Sequence, residues 1–268
     1  MFKNILKYAI IIYNIIYERR INVKENQNIT EKIINLLKCP CEVLDSGNID
    51  LAMDKYFAAK TEGDIAGFTP LLILADDILI ELIQIKSEES GGYHTYLSNT
   101  LESELEDGYT LLRNRFEHKK IYLPKENDNF NIDQIEEDFE DQDEMKAFSG
   151  ISEAQFGGTL ILAKIPTSNP WEIFAWIPFG GWNECPGDKE HMAIAKYWFE
   201  KYNAVPALIS HDIVDYYLPA SQSDKNIARE IAEEQFGYCE DIVLQGCENI
   251  TFLEAIILNS QIWSFWWD

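Results

Sequence analysis

The sequence predicts an α/β protein: a mixed, mainly parallel sheet with helices packed on it, arranged as two similar βαβ-containing halves. Two observations carry this expectation. Short apolar runs of strand length alternate with longer stretches of helical period, and Gly, Pro, Asn or Asp stand at the junctions between them. That order of elements occurs once before residue 90 and again after residue 158.

The elements follow in order. Ile5 to Tyr17 is almost wholly apolar, but it is shorter than the roughly 20 residues a membrane span needs and is broken by Asn14. Glu18-Arg19-Arg20 stands where a signal peptide needs small residues, so a buried or docked helix is expected, with an interfacial anchor as the alternative. A strand follows at Cys41 to Leu44. Asn48 or Ser46 then caps a helix that places Ile49, Met53, Tyr56 and Phe57 on one face. Pro70 to Ala75 is an unbroken apolar run of buried-strand type, ended by Asp76-Asp77 and a helix through Ile85. Leu101 to Glu117 has helical character, and 124–131 is polar and turn-rich.

Residues 133–144 carry eight acidic side chains, a pattern of a solvated face or of an attraction for a basic partner. A boundary near Gly150 divides the chain into an N-terminal α/β region, 1–150, and a C-terminal α/β domain, 151–268. In the second half, strands are expected at Gly158 to Ile165, Ile173 to Phe179, Ala207 to Ser210 and Ile213 to Leu218, the last pairing antiparallel. Helices are expected at about 188–202, 223–236 and 252–258. The ending Ile262 to Asp268, apolar on both faces, reads as a strand at the centre of a sheet.

Composition limits the function. The chain has 268 residues, 46% of them hydrophobic, enough for a sizeable core, and a net charge of -24. Such a surplus disfavours nucleic acid and anionic membranes, which need clustered Lys and Arg, and suits either solubility or a basic protein partner. Five scattered cysteines without a C-x-x-C motif fit a reducing cytoplasm and give no zinc-ribbon signal. Cys39-Pro-Cys41 alone identifies no metal. No cofactor motif is present.

Ile165-Pro-Thr, Pro170-Trp-Glu, Pro178-Phe-Gly-Gly-Trp-Asn-Glu-Cys-Pro186, His191, Tyr197-Trp198 and Trp263-Ser-Phe-Trp-Trp-Asp268 resemble the bacterial domain-of-unknown-function family 4253. The resemblance is strong over 158–268 and fainter back to Cys39. It implies a shared fold and carries no activity.

Candidate chemistry gathers at the loop 180–187. Gly180-Gly181 allows a sharp strand-to-helix turn, and Asp188 can cap the helix beyond it. Trp182, Asn183 and Glu184 would then join the two glycines at the edge where ligands of open α/β sheets bind, near helix N–H groups that favour anions. The structural alternative is a double-glycine turn with Trp182 plugging the core. No G-K-[ST] follows, so no phosphate loop is expected.

If strands 173–179 and 207–210 are parallel neighbours, His211 approaches Cys185. With Asp212 orienting the imidazole and Asn183 as an oxyanion donor, the layout is that of a cysteine nucleophile. His191 is a second candidate base. The alternative makes Cys185 a small buried apolar group, His211 a turn residue, and His191 a solvent-facing side chain. Glu184, Asp212 and Asp76-Asp77 could meet around a hard cation only through long-range geometry, so no metal is assigned. Three functions are therefore expected in order: a cytoplasmic interaction protein, in one version of immunity type, with its acidic surface toward a basic partner; a small hydrolase or transferase using Cys185; and a ligand-binding domain at 180–187.

Overall fold

The structure is a computed structural model that describes residues 23–45, 48–124, 147–154 and 158–268. The apolar stretch 5–17 and the acidic stretch 133–144 lie outside the described residues.

A single six-stranded sheet organises these residues. In chain order its strands are β1 (Cys41–Leu44), β2 (Thr69–Ala75), β3 (Thr159–Ile165), β4 (Val205–Ile209), β5 (Ile213–Tyr217) and β6 (Ile262–Trp266). Their spatial order is β1-β3-β2-β4-β5-β6. Only β2 and β4 pair parallel; the other four pairings are antiparallel. The sheet is mixed, as expected, but mainly antiparallel, which corrects the mainly parallel expectation. The difference comes from β3 and β6: β3 runs antiparallel to both of its neighbours, β1 and β2, and β6 runs antiparallel to β5, whereas the β4–β5 pair, joined by the tight Ser210-His211-Asp212 turn, is antiparallel as expected. Strands from before residue 76 and after residue 158 share this sheet, because β2 lies between β3 and β4.

The helices are α1 (Val23–Leu37), α2 (Ile49–Ala66), α3 (Asp77–Glu89), α4 (Tyr93–Leu101), α5 (Gly108–Lys119), α6 (Ser149–Ala154), α7 (Ile173–Trp176), α8 (Asp188–Tyr202), α9 (Lys225–Tyr238) and α10 (Ile250–Asn259). Alternation along the strands sends side chains to two cores. Leu72, Leu74, Leu160 and Leu162 meet α2 and α6, while Leu71, Ile73, Ile161, Ala163, Val214 and Tyr216 meet the larger helical layer on the other face. Covering on both faces explains why β2 is apolar from Pro70 to Ala75 and buried at every position.

Side-chain caps set the starts of several helices, among them Asn48 accepting from Leu51 N–H, Asp76 from Leu79 N–H and Asp224 from Ile227 N–H. At the end of α2, Gly67 takes φ 79°, a left-handed closure open to glycine without a side-chain penalty.

Two further expectations are corrected. Residues 173–179 form no strand: a 3-10 turn at Pro170–Glu172 leads into α7. Its side chains are apolar on every side because α7 packs within the large core, a setting that a short apolar run cannot distinguish from a buried strand. The aromatic strand β6 lies at the sheet edge, not its centre. Trp263, Phe265 and Trp267 are nevertheless buried, because α8, α9 and their aromatic residues cover that face.

Candidate functional site

The loop between α7 and α8 wraps over a buried thiol and imidazole. Gly180 and Gly181 take φ 80° and 88°, and Asn183 takes φ 45°, so three of four consecutive residues lie in the left-handed region. This curls the chain back on itself: Gly181 N–H donates to Pro186 O at 3.0 Å, and Cys185 N–H donates to Trp182 O at 2.9 Å. Because α7 replaces the expected strand, the loop joins two helices rather than a strand and a helix. Gly187, not Asp188, is the residue before the first helical turn.

Inside the curl, Cys185 Sγ lies 3.5 Å from His191 Nε2, and His191 Nδ1 lies 2.7 Å from Tyr238 Oη. Tyr238 Oη lies 3.4 Å from Tyr216 Oη. The imidazole is stacked on Phe174 with ring centres 4.8 Å apart and is edged by Phe179 and Trp267. His191 is wholly buried, and Cys185 is 5% exposed.

Burial dominates the electrostatics. It drives the His191 pKa well below its ordinary value, with the Arg115 charge adding to the effect, and it raises the Cys185 thiol far above the ordinary range. Both groups are therefore neutral near pH 7. A thiolate–imidazolium pair, the form that attacks carbonyl carbon, is disfavoured on both sides.

Cations fasten the loop from outside. The Arg115 guanidinium on α5 donates to Glu184 O and, at 3.1 Å, to Gly237 O. Lys119 Nζ is buried 3.8 Å from both the Glu184 and Glu240 carboxylates, without a hydrogen-bond partner, and burial lowers its pKa. Asn183 Nδ2 donates to the Asp268 main-chain oxygen at 2.5 Å, tying the loop to the chain beyond β6. The start of α8 is occupied by its own carboxylates. Glu190 accepts from Gly187 N–H at 2.9 Å, and Asp188 accepts from Lys189 N–H at 3.0 Å and from Tyr96 Oη–H. That leaves little of the helix terminus for an outside anion.

His211 belongs to a different cluster. Its Nδ1 lies 2.8 Å from Asp76 and its Nε2 3.3 Å from Asp212, so both ring nitrogens face carboxylates and neither faces Cys185. Parallel pairing of β2 and β4 brings Asp76 and His211 to one sheet edge. Burial raises the Asp212 pKa, and the His211 charge opposes that effect. Trp267 links the two clusters: its main-chain N–H donates to Asp212 O at 3.1 Å while its ring covers His191.

Of the residues singled out in the sequence, Cys185 and His191 are brought together and Gly180 closes over them. Gly181, Asn183 and Glu184 are exposed, Trp182 is half-buried against Phe179, and His211 stands apart with Asp76 and Asp212. Among the described residues no group of three or more His, Cys, Asp and Glu side chains is placed to hold a metal ion. Arg115, Lys119, Phe174 and Tyr238 were not foreseen. Arg115 and Lys119 lie on α5 and Tyr238 on α9, whose helical period does not say what those faces meet, and Phe174 lies on α7, a short apolar run that carries no period.

Two clefts are open to solvent away from the loop. One of about 490 Å³ lies among Lys32, Leu36, Gln84, Glu88 and Tyr93; the other, of about 260 Å³, lies among Lys201, Tyr202, Leu218 and Ile231. Neither is lined by Cys185, His191 or His211.

No described helix is long and apolar enough to cross a membrane. No curated protein and no solved structure matches the chain. Residues 161–268, which run from β3 through β6 and include the loop, Cys185 and His191, match one family model. That model is described as Domain of unknown function (DUF4253).

Proposed function

We propose that the protein works by binding, presenting an acidic surface to a basic protein partner. The observation that carries this reading is the charge imbalance, 46 acidic against 22 basic residues, on a chain whose best-formed thiol–imidazole pair is neutral and enclosed. Complementary charge of this size accelerates encounter and selects partners. An immunity-type protein that masks a basic toxin is one concrete form.

The 3.5 Å contact between Cys185 and His191 favours a second reading, a cysteine hydrolase or transferase. Against it stand the burial of both groups and the absence of either from the lining of the two clefts. The test is capture of partners by the full chain, followed by titration of the purified pair at several salt concentrations. The reading expects a saturable complex of fixed stoichiometry that weakens steeply with salt and outcompetes polylysine. Binding no tighter than to polylysine, or insensitive to salt, overturns it.

A further inference from the structure

Cys39 and Cys41 lie outside the loop site and have a geometry of their own. They flank Pro40 where α1 ends and β1 begins. The chain bends at Cys39 and enters β1 at Cys41, and this turn brings the two thiols to the same side. Their sulfurs are 3.9 Å apart, and the Cys41 thiol also reaches Cys39 O at 3.4 Å. The backbone on either side is held: Lys38 turns the chain at φ 51°, Lys164 N–H donates to Pro40 O at 2.9 Å, and Cys41 pairs with Ala163.

Both thiols are half-buried and within reach of a small molecule, whereas Cys185 and Cys239 are buried. The hydrogen bond between them divides their roles. It lowers the Cys41 pKa and raises that of Cys39, which favours Cys41 as the sulfur that ionises first.

We propose that Cys39 and Cys41 form a redox-active dithiol that closes to an intramolecular disulfide on meeting a small-molecule disulfide such as oxidised glutathione. The Cys41 thiolate attacks one sulfur of the oxidant, breaking its S–S bond, and a mixed disulfide forms as the first glutathione thiolate leaves. Cys39 then gives its proton to water and attacks the Cys41 sulfur, expelling the second glutathione thiolate. One S–S bond is broken and one is made. Two electrons pass from the cysteine pair to the oxidant, which departs as two thiols after taking up two protons. The sulfurs need to close from 3.9 Å to a bond of about 2.05 Å. The product ties the end of α1 to the start of β1.

The test equilibrates the full folded chain in glutathione mixtures of increasing oxidised fraction, followed by acid quenching, denaturation, alkylation and peptide mass spectrometry. Cys39 and Cys41 should lose their alkylatable thiols together, in a peptide carrying an internal disulfide, before Cys185, Cys239 or Cys247 is lost. Cys247, whose thiol is pushed up to about 11 by burial, is the internal control among the half-buried thiols. In Cys39→Ser the mixed disulfide on Cys41 should persist. In Cys41→Ser the reaction at Cys39 should slow. Thiols at 39 and 41 that stay free while a cysteine peptide in the same mixture is oxidised overturn the proposal, as does loss at the same rate from all five positions.

Discussion

Replacing Gly180 with alanine tests whether the loop closes over Cys185 and His191 as described. A Cβ at this position would lie 1.9 Å from Pro186 O, 2.7 Å from His191 Nε2 and 3.0 Å from Cys185 Sγ. Pro186 O is main chain and already accepts from Gly181 N–H, so it cannot swing aside as a flexible side chain would. Two costs add. The left-handed backbone of a non-glycine residue costs about 1–2 kcal/mol, and overfilling a packed site costs about 1–3 kcal/mol, for a total of about 2–5 kcal/mol.

Two neighbouring glycines separate these terms. Gly181 has the same backbone conformation, but its Cβ would meet nothing nearer than Lys86 Nζ at 3.9 Å, so Gly181→Ala should lose only about 1–2 kcal/mol. Gly187 has φ -78° and open space around it, so Gly187→Ala should lose no more than about 1 kcal/mol, the difference between the two residues before a helix start. Denaturant unfolding reads all three as shifts in midpoint at constant slope. Equal losses for Gly180→Ala and Gly181→Ala would refute the close approach to Pro186, His191 and Cys185.

Other predictions concern the same core and its opposite face. His191 is held neutral in the folded chain and protonates freely when unfolded, so the unfolded state binds the extra proton below about pH 6.5. Stability should therefore fall as pH drops below that value, at up to about 1.4 kcal/mol per unit, and His191→Phe should flatten that slope in unfolding curves. Asp215 has the opposite sign. Burial among Ser149, Gly150 and β6 lifts its carboxyl to about 6, so the stability it contributes is complete below about pH 4 and lost as pH rises through 6. Asp215→Asn should remove that loss, of which about 1.4 kcal/mol falls between pH 5 and pH 8, when variants are compared at those two values. Trp267→Ala uncovers the His191 ring and should cost about 3–5 kcal/mol in denaturant unfolding. Removal of 263–268 takes Trp263, Phe265 and Trp267 out of the core and should leave an insoluble chain; a soluble truncation with a cooperative melt would contradict this.

Much of the fold was legible because it is written locally. Thr-Pro-Leu-Leu-Ile-Leu-Ala can bury both faces only as a covered strand, Asn48 announces α2, and α8 runs over 188–202 as its spacing indicates. Residues 173–179 were misread because a short apolar segment buried on all sides carries no period. Strand order was hidden for a different reason. The parallel partner of β4 is β2, more than 130 residues earlier, and no local pattern records that pairing.

The site divides in the same way. Cys185 and His191 are six residues apart, and the curl and first helical turn between them bring them together. His211 finds Asp76 across 135 residues through the β2–β4 pairing, so its partner could not be foreseen. Burial decided the chemistry. The aromatic residues that enclose His191 come from α7, α9 and the segment after β6, and only the assembled fold shows that a plausible nucleophile and base are sealed from solvent.

The most direct test of that conclusion is alkylation of Cys185 in the folded chain across pH 5 to 9, with rates read by peptide mass spectrometry. An enclosed, neutral Cys185–His191 pair predicts a thiol that stays protected throughout and reacts only as the protein unfolds. Rapid modification of Cys185 at a pH below the ordinary thiol pKa of about 8.5 would show an accessible thiolate, contradict the sealed pair, and return the cysteine-enzyme reading to first place.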